Sequence, residues 1–384
     1  MKLLSQRGVS RRKRSLRTFA VTGAAVCAAA VLAVPGAQAA GTPGWRFVAV
    51  FPQVQQLFSV SASSATNAWA VGQTSGLGLF TSHWNGKKWQ PVANPNRLGG
   101  VGPLIGAAVA ATAGARAWVF TMTENDEYPV TEVDAVEWTG TSWSTVRYFD
   151  NVSLSTAIAA GPGDVWGFGS DMRGPWAVHY NGTRFSRVAM SVNVSAGSGS
   201  AAAGDWVTGT LAAQPKRIVV LHWSKGAWRN VALPAISVPK GQQTLPGFIA
   251  AVTPASVWAT ILVGRPGQWE PASVLLHWNG KAWSKVAAPK GVHFDGLASD
   301  GHGGCWVASY TFTTPGAVTG LVMYHYSGGR WTHVPAPAKS GYTVSVFGGN
   351  MQLIPGTRSV LEHVTLNPNH AGTFPAGAVL KYGP

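Results

Sequence analysis

His83-Trp84-Asn85-Gly86-Lys87-Lys88-Trp89 decides the architecture. Two aromatic residues stand five positions apart around a Gly-containing turn. The phrase returns as Glu137-Trp138-Thr139-Gly140…Trp143, His179-Tyr180-Asn181-Gly182…Phe185 and His222-Trp223-Ser224…Trp228. It returns again as His277-Trp278-Asn279-Gly280…Trp283 and His325-Tyr326-Ser327-Gly328…Trp331. Upstream of each pair lies another Trp among small and β-branched residues: Trp69, Trp118, Trp166, Trp206, Trp258 and Trp306, spaced 40 to 52 residues apart. Periods of this length mean arrays, solenoids or propellers.

Each copy reads as four short strands. In the first copy they are Leu57–Ala62, Asn67–Thr74, Leu79–Trp84 and Lys88–Ala93. Asn85-Gly86 predicts a tight hairpin with both turn residues at positive φ. A seventh copy runs from Tyr342 through Val360 to Lys381-Tyr382-Gly383-Pro384, with the first aromatic of the pair but not the second. Gly44-Trp45-Arg46-Phe47-Val48 reads like Lys88-Trp89-Gln90-Pro91-Val92. The N-terminal strand is therefore expected to complete the last sheet, which closes the ring and covers an open edge. The expected fold is all-β: a seven-bladed β-propeller of four-stranded antiparallel blades over residues 40–384.

Composition agrees with this. Of 384 residues 46% are apolar and only 11% charged, against a usual charged share of about 25%. That excludes a coiled coil. Eighteen Trp residues argue against a disordered chain.

Residues 1–39 have the pattern of an export signal. Lys2, Arg7, Arg11, Arg12, Lys13, Arg14 and Arg17 form a basic start, Phe19 to Val34 an apolar stretch, and Ala37-Gln38-Ala39 a small-x-small cleavage site. The formal charge is +15 for the whole chain and +8 after cleavage, from 22 basic and 14 acidic residues. Cys305 is then the single remaining Cys, so the exported protein is expected to rely on its packed core and not on a disulfide. No later apolar run is long enough to span a membrane.

Ala68-Trp69-Ala70-Val71-Gly72 followed by His83-Trp84-Asn85-Gly86 resembles the repeat of kelch and galactose-oxidase-like β-propellers, specifically their secreted bacterial versions. The resemblance spans residues 40–384. It implies the architecture and is nearly silent on activity.

Repeated residues serve the blade. His83, His179, His222, His277 and His325 share one slot, and sixteen Trp residues fall in repeat slots, so both sets are expected to pack. Trp176 aligns with Phe80, Val219 and Val274 as a third-strand core residue. Cys305 and the turn residues Asp164 and Asp300 are structural on the same grounds.

Candidate ligand-binding residues fall in the loops between strands two and three, around one mouth of the central channel. Trp269 in Arg265-Pro266-Gly267-Gln268-Trp269-Glu270 suits stacking on a sugar ring or another ligand plane. Glu127 and Tyr128 belong to the equivalent loop of blade two, within an acidic run of Glu124, Asp126, Glu127, Glu132, Asp134 and Glu137. Several carboxylates there could bind Ca²⁺ or a cationic ligand, although a solvated hairpin is the ordinary expectation. Glycoside hydrolysis needs two opposed carboxylates. Asp295, expected near the channel mouth, would supply one, with Asp171 or Glu270 as partner. The chain has no Cys/His metal spacing, phosphate loop or Gly-x-Ser-x-Gly. Lys87, Lys88, Arg184, Lys225, Lys281 and Arg330 lie in or beside the strand three-to-four hairpins. This scatters positive charge around the opposite face, suited to anionic cell-wall polymers and not to nucleic acid.

These features point to a secreted or cell-surface binding module for a glycan or cell-envelope component. It would be non-catalytic, without cofactor, and monomeric. Two alternatives stand beside it: an extracellular polysaccharide hydrolase or lyase with acids near the channel mouth, and a protein–protein interaction scaffold.

Overall fold

The computed structural model describes residues 44–95, 102–124, 131–200, 205–265, 271–314, 317–346, 351–370, 372 and 374–384. The expected export signal lies outside the described residues.

Seven antiparallel sheets form the blades of a propeller. Blade one comprises, from the channel outward, Val54–Ser64, Asn67–Thr74, Leu79–Trp84 and Trp89–Pro91. Strands two and three of this blade match the sequence expectation residue for residue. Ring closure is also as expected. In blade seven Tyr342–Ser345 and Gln352–Leu353 both pair with Val360–Pro368, which pairs with Ala376–Tyr382, which pairs with the N-terminal strand Arg46–Phe51.

The repeat slots share one register. Trp69 stands opposite His83, Trp118 opposite Glu137, Trp166 opposite His179, Trp206 opposite His222, Trp258 opposite His277 and Trp306 opposite His325. The aromatic pairs face each other across strands three and four, as Trp84 faces Trp89.

One joint recurs between blades. The strand-two Trp of each blade packs against the aromatic pair of the next. Trp69 lies 5.9 Å from Trp138 and 6.1 Å from Trp143, and Trp118 lies 4.6 Å from Tyr180 and 5.4 Å from Phe185. At the closing seam Trp306 meets Tyr382 at 4.2 Å and Trp45, from the N-terminal segment, at 5.5 Å edge-on. Between blades seven and one, Leu361 takes the Trp slot and packs in one cluster with Trp84 and Trp89. All six strand-two Trp residues are fully buried. Burying an aromatic side chain of this size is among the largest single contributions a core residue makes.

A polar clasp runs along the strand three-to-four side. Each slot histidine stacks on its Trp, with ring centroids 4.1 to 4.6 Å apart. Asn67 Oδ1 accepts from His83 Nε2 at 2.8 Å and from the Trp69 indole at 3.0 Å. His179 bonds Asp164 at 2.7 Å, and His325 bonds Asp300 at 2.9 Å.

The Asn-Gly turn differs from expectation. Gly86 has φ +90°, but Asn85 does not have positive φ. The loop is four residues long, because Trp84 and Trp89 are directly paired. Asn85 Oδ1 caps it by accepting from the N–H groups of Lys87 and Lys88. In blades four and six, which have no Asn there, the two-residue turn does form: Lys225 and Gly226 both have positive φ, as do Gly328 and Gly329. The Asn side chain replaces a backbone conformation that its own repeat does not need.

Candidate functional site

The two faces of the ring are built from different connections. The strand two-to-three loops and blade connections form one, here called the loop face. The strand one-to-two turns and strand three-to-four hairpins form the other, the hairpin face. Lys87, Lys88, Arg184, Lys225, Lys281 and Arg330 are all exposed on the hairpin face.

The loop face holds four of the five exposed large apolar side chains found among the described residues; the fifth, Tyr148, is on the outer strand of blade two. Among the described residues, Leu77 follows strand two of blade one, Met172 that of blade three and Phe374 that of blade seven, while Val238 lies in the connection from blade four to blade five. Met172 is 89% and Phe374 76% exposed. Leu77 has φ +62°, a left-handed conformation costing a leucine about 1 kcal/mol. Scattered exposed apolar residues are ordinary. Their gathering on one face of a rigid ring is less so.

Small residues of the innermost strands line a central channel of about 520 Å³, among them Ser59, Ala108, Thr156, Ala250 and Ala298.

The sequence candidates are distributed as follows. Glu127, Tyr128, Trp269 and Glu270 lie outside the described residues. The flanking strands Arg116–Glu124 and Ser256–Gly264 end on the loop face, and Thr131–Trp138 and Ala272–Trp278 begin there. Arg265 is exposed there, directly after Gly264. Asp171 belongs to blade three, where its Oδ2 lies 2.7 Å from Arg187 Nη1. Burial pushes its carboxyl up, but the Arg187 bond and the Arg173 N–H outweigh this and hold it below its ordinary value.

Asp295 belongs to blade six. It precedes the inner strand of blade six, is 9% exposed, and lies 2.9 Å from His293 Nε2. Tyr310 reaches it from strand two of the same blade and packs against the core between blades six and seven. Burial first, and Asp295 second, push the Tyr310 hydroxyl far up.

The neighbour of Asp295 is Glu362, which sequence reasoning missed. Glu362 Oε2 lies 3.2 Å from where a Cβ on Gly296 would stand. Glu362 is fully buried, and neither of its oxygens makes a hydrogen bond among the described residues. Burial drives its pKa well above the ordinary value, opposed by the His363 N–H and aided by Asp295. Burial also lowers His363 to about 4. The imidazole is thus neutral near pH 7, and its 3.7 Å approach to Glu362 is not an ion pair. A signal was available: the equivalent residues after the strand-two Trp are Ala70, Val119, Gly167, Val207, Ala259 and Val307. A carboxylate there breaks the repeat.

The acidic run of blade two is another difference from expectation. Glu132 and Asp134 are buried on strand three, 8% and 1% exposed, not solvated. They stand in cross-strand rows with Thr123 and Asp150, and with Thr121 and Tyr148. Partial burial and a hydrogen bond to Glu132 push the Tyr148 hydroxyl up to about 12. Among the described residues no group of three or more His, Cys, Asp or Glu is placed to hold a metal ion. No described helix is long and apolar enough to cross a membrane.

The fold and this surface define a seven-bladed β-propeller. No protein-family model and no curated protein matches the chain. Among solved structures it is similar to YCF48 from Cyanidioschyzon merolae, with 16% identity and a TM-score of 0.51, covering 89% of this chain and 99% of that one. It is similar to the β-propeller domain of the Trilobed protease from Pyrococcus furiosus, with 9% identity and a TM-score of 0.51, covering 86% and 94%. That domain is described as having an open velcro topology, whereas here the N-terminal strand closes the ring. A third similarity is to the extracellular domain of a one-component system from B. thetaiotaomicron, with 11% identity and a TM-score of 0.50, covering 88% of this chain but 40% of that one. At these identities the likeness is one of fold.

Proposed function

We propose that the protein is a secreted or cell-surface recognition module that binds a glycan or another cell-envelope component on its loop face, without catalysis. The observation that carries this is the gathering of exposed apolar side chains, Leu77, Met172 and Phe374, on the loop face, whereas the exposed hairpin residues Lys87, Lys88, Arg184, Lys225, Lys281 and Arg330 make the opposite face cationic. Loops on a rigid scaffold are where binding usually resides. Trp269 and Tyr128 would add aromatic platforms to the same face. Export through residues 1–39, and kinship with the kelch and galactose-oxidase-like propellers, belong to the same proposal.

The hydrolase alternative gains little from the acid pair. Glu362 is fully buried beside Asp295, so a polysaccharide could reach it only by prising neighbouring blades apart.

The test is binding of the purified protein to a panel of bacterial cell walls and plant polysaccharides, with Trp269→Ala and Phe374→Ala compared against wild type. Loss of retention in these variants, with unchanged thermal unfolding, supports the proposal. Retention of every ligand by both variants would sink it.

A further inference from the structure

We infer that the groove between blades four and five is a docking site for an acidic, extended segment of a partner protein carrying a large aliphatic side chain beside its carboxylates. This does not rest on the glycan proposal, because the groove contains no aromatic ring on which a sugar could stack.

The groove opens on the loop face and has a volume of about 600 Å³, within the usual range for ligand sites. Its floor is aliphatic. Ile218, Leu233 and Ile236 are half-buried over the seam core, with Ile261 buried beneath. Val238, 41% exposed, forms the lip. The connecting segment that walls it contains Pro234 and Pro239, which have no N–H to offer.

Lys216 and Arg217 stand exposed at the rim. A slip in pairing puts them there. Thr210 pairs with Ile218, but Leu211 pairs with Gln214, so residues 215–217 bulge out of the hairpin. Such bulges re-aim side chains. Neither cation is ion-paired among the described residues. The surrounding sequence offers nothing to neutralise them. From Trp206 to Trp269 there is no Asp or Glu, while Lys216, Arg217, Lys225, Arg229, Lys240 and Arg265 are all cationic.

An aliphatic floor under two unpaired cations is complementary to one chemistry: apolar side chains next to carboxylates. Charge complementarity of this kind steers encounter and selects partners. Arg217 can take a carboxylate in bidentate fashion, and Lys216 as a point charge.

The experiment is fluorescence anisotropy on the purified protein at low salt, with a short labelled peptide alternating Asp and Glu with Leu and Ile. Two control peptides replace the acids with their amides, or the aliphatic residues with Ser. We expect saturable binding of the first peptide alone. Lys216→Glu combined with Arg217→Glu should weaken it at least about tenfold. Lys281→Glu, on the hairpin face, should leave it unchanged within about twofold. Polygalacturonate should not compete. Val238→Asp should weaken binding as well, which keeps the test decisive if the double variant folds poorly. Absence of saturable binding would overturn the inference. So would equal binding of either control peptide, equal loss in Lys281→Glu, or displacement by polygalacturonate, which would mark the rim as a generic polyanion surface.

Discussion

Arg116 and Glu137 close blade two with an ion pair, Nη2 to Oε1 2.5 Å, at positions where blade one links Asn67 to His83 and blade three links Asp164 to His179. Arg116 precedes its Trp by two residues, as Asn67, Asp164 and Ser256 do. Glu137 fills the slot of His83, His179 and His277. The repeat thus requires a polar link between strands two and three at this point, and blade two supplies it with opposite charges. The requirement shared by these blades is geometric, not a particular pair of residues.

Removing half of that link should be costly. Arg116→Ala leaves the Glu137 carboxylate, only 8% exposed, without its cation. The expected loss of stability is about 2–4 kcal/mol. Arg116→Asn together with Glu137→His rebuilds the clasp of blade one and should recover most of the loss. Urea denaturation of the singles and the double measures the coupling, expected at about 1 kcal/mol or more. Additive losses would show that the two positions do not act together.

Asp205 should make stability fall as pH rises. Burial first, and neighbouring Asp164 second, push it up to about 7, against the pull of the Trp166 N–H. The folded chain then holds a proton that the unfolded chain releases above its ordinary value of 3.8. Stability from this group is full below that value and is lost as pH climbs to about 7. Asp205→Asn should therefore stabilise the protein at pH 8, by a few kcal/mol at most, with the gain vanishing near pH 4. Thermal unfolding across that interval reads it directly, and a gain independent of pH would refute the assignment.

Glu362 and His363 are adjacent in sequence and tilt the pH curve in opposite directions. The raised carboxyl of Glu362 costs stability as pH rises above its ordinary 4.5. The depressed imidazole of His363 costs stability as pH falls from 6.5 through about 4. Glu362→Gln should gain about 1.4 kcal/mol for each pH unit between 4.5 and the carboxyl's own pKa. His363→Gln should flatten the acid limb. Chemical denaturation at several pH values separates the two slopes, and parallel curves for variant and wild type would exclude the buried carboxyl as their source.

Trp45 should matter more than its place near the start of the propeller suggests. It is 4% exposed and meets Trp306 of blade six edge-on. Trp45→Ala removes half of the aromatic pair that closes the last seam, at about 3–5 kcal/mol. The loss is measurable as a lowered urea midpoint, and a midpoint close to wild type would mean that Tyr382 alone holds the seam.

The fold was legible because the repeat carries its own alignment. Matching Trp69 to Trp118 and Trp84 to Trp138 places the strands, and the incomplete seventh copy predicts the pairing of the N-terminal strand with Ala376–Tyr382. The hairpin conformation at Asn85 was not legible, because the dipeptide supports both a positive-φ turn and a side-chain cap. The burial of Glu132 and Asp134 was missed because a run of acids normally marks solvent. Glu362 was missed for a different reason: only comparison of the residue after each strand-two Trp exposes it. The groove of blades four and five depends on a register slip at Thr210 that no local pattern announces. Fold follows from what repeats, whereas the candidate sites lie where the repeat is broken.

Retention of the purified protein on cell walls and insoluble polysaccharides, at low and at moderate salt, tests the central proposal most directly. It should be run alongside Phe374→Ala on the loop face and Lys87→Glu with Lys88→Glu on the hairpin face. Retention that survives salt, falls with Phe374→Ala and ignores the lysine changes is the predicted result. Retention that disappears with salt and with the lysine changes, but not with Phe374→Ala, would contradict it and assign binding to the basic hairpins.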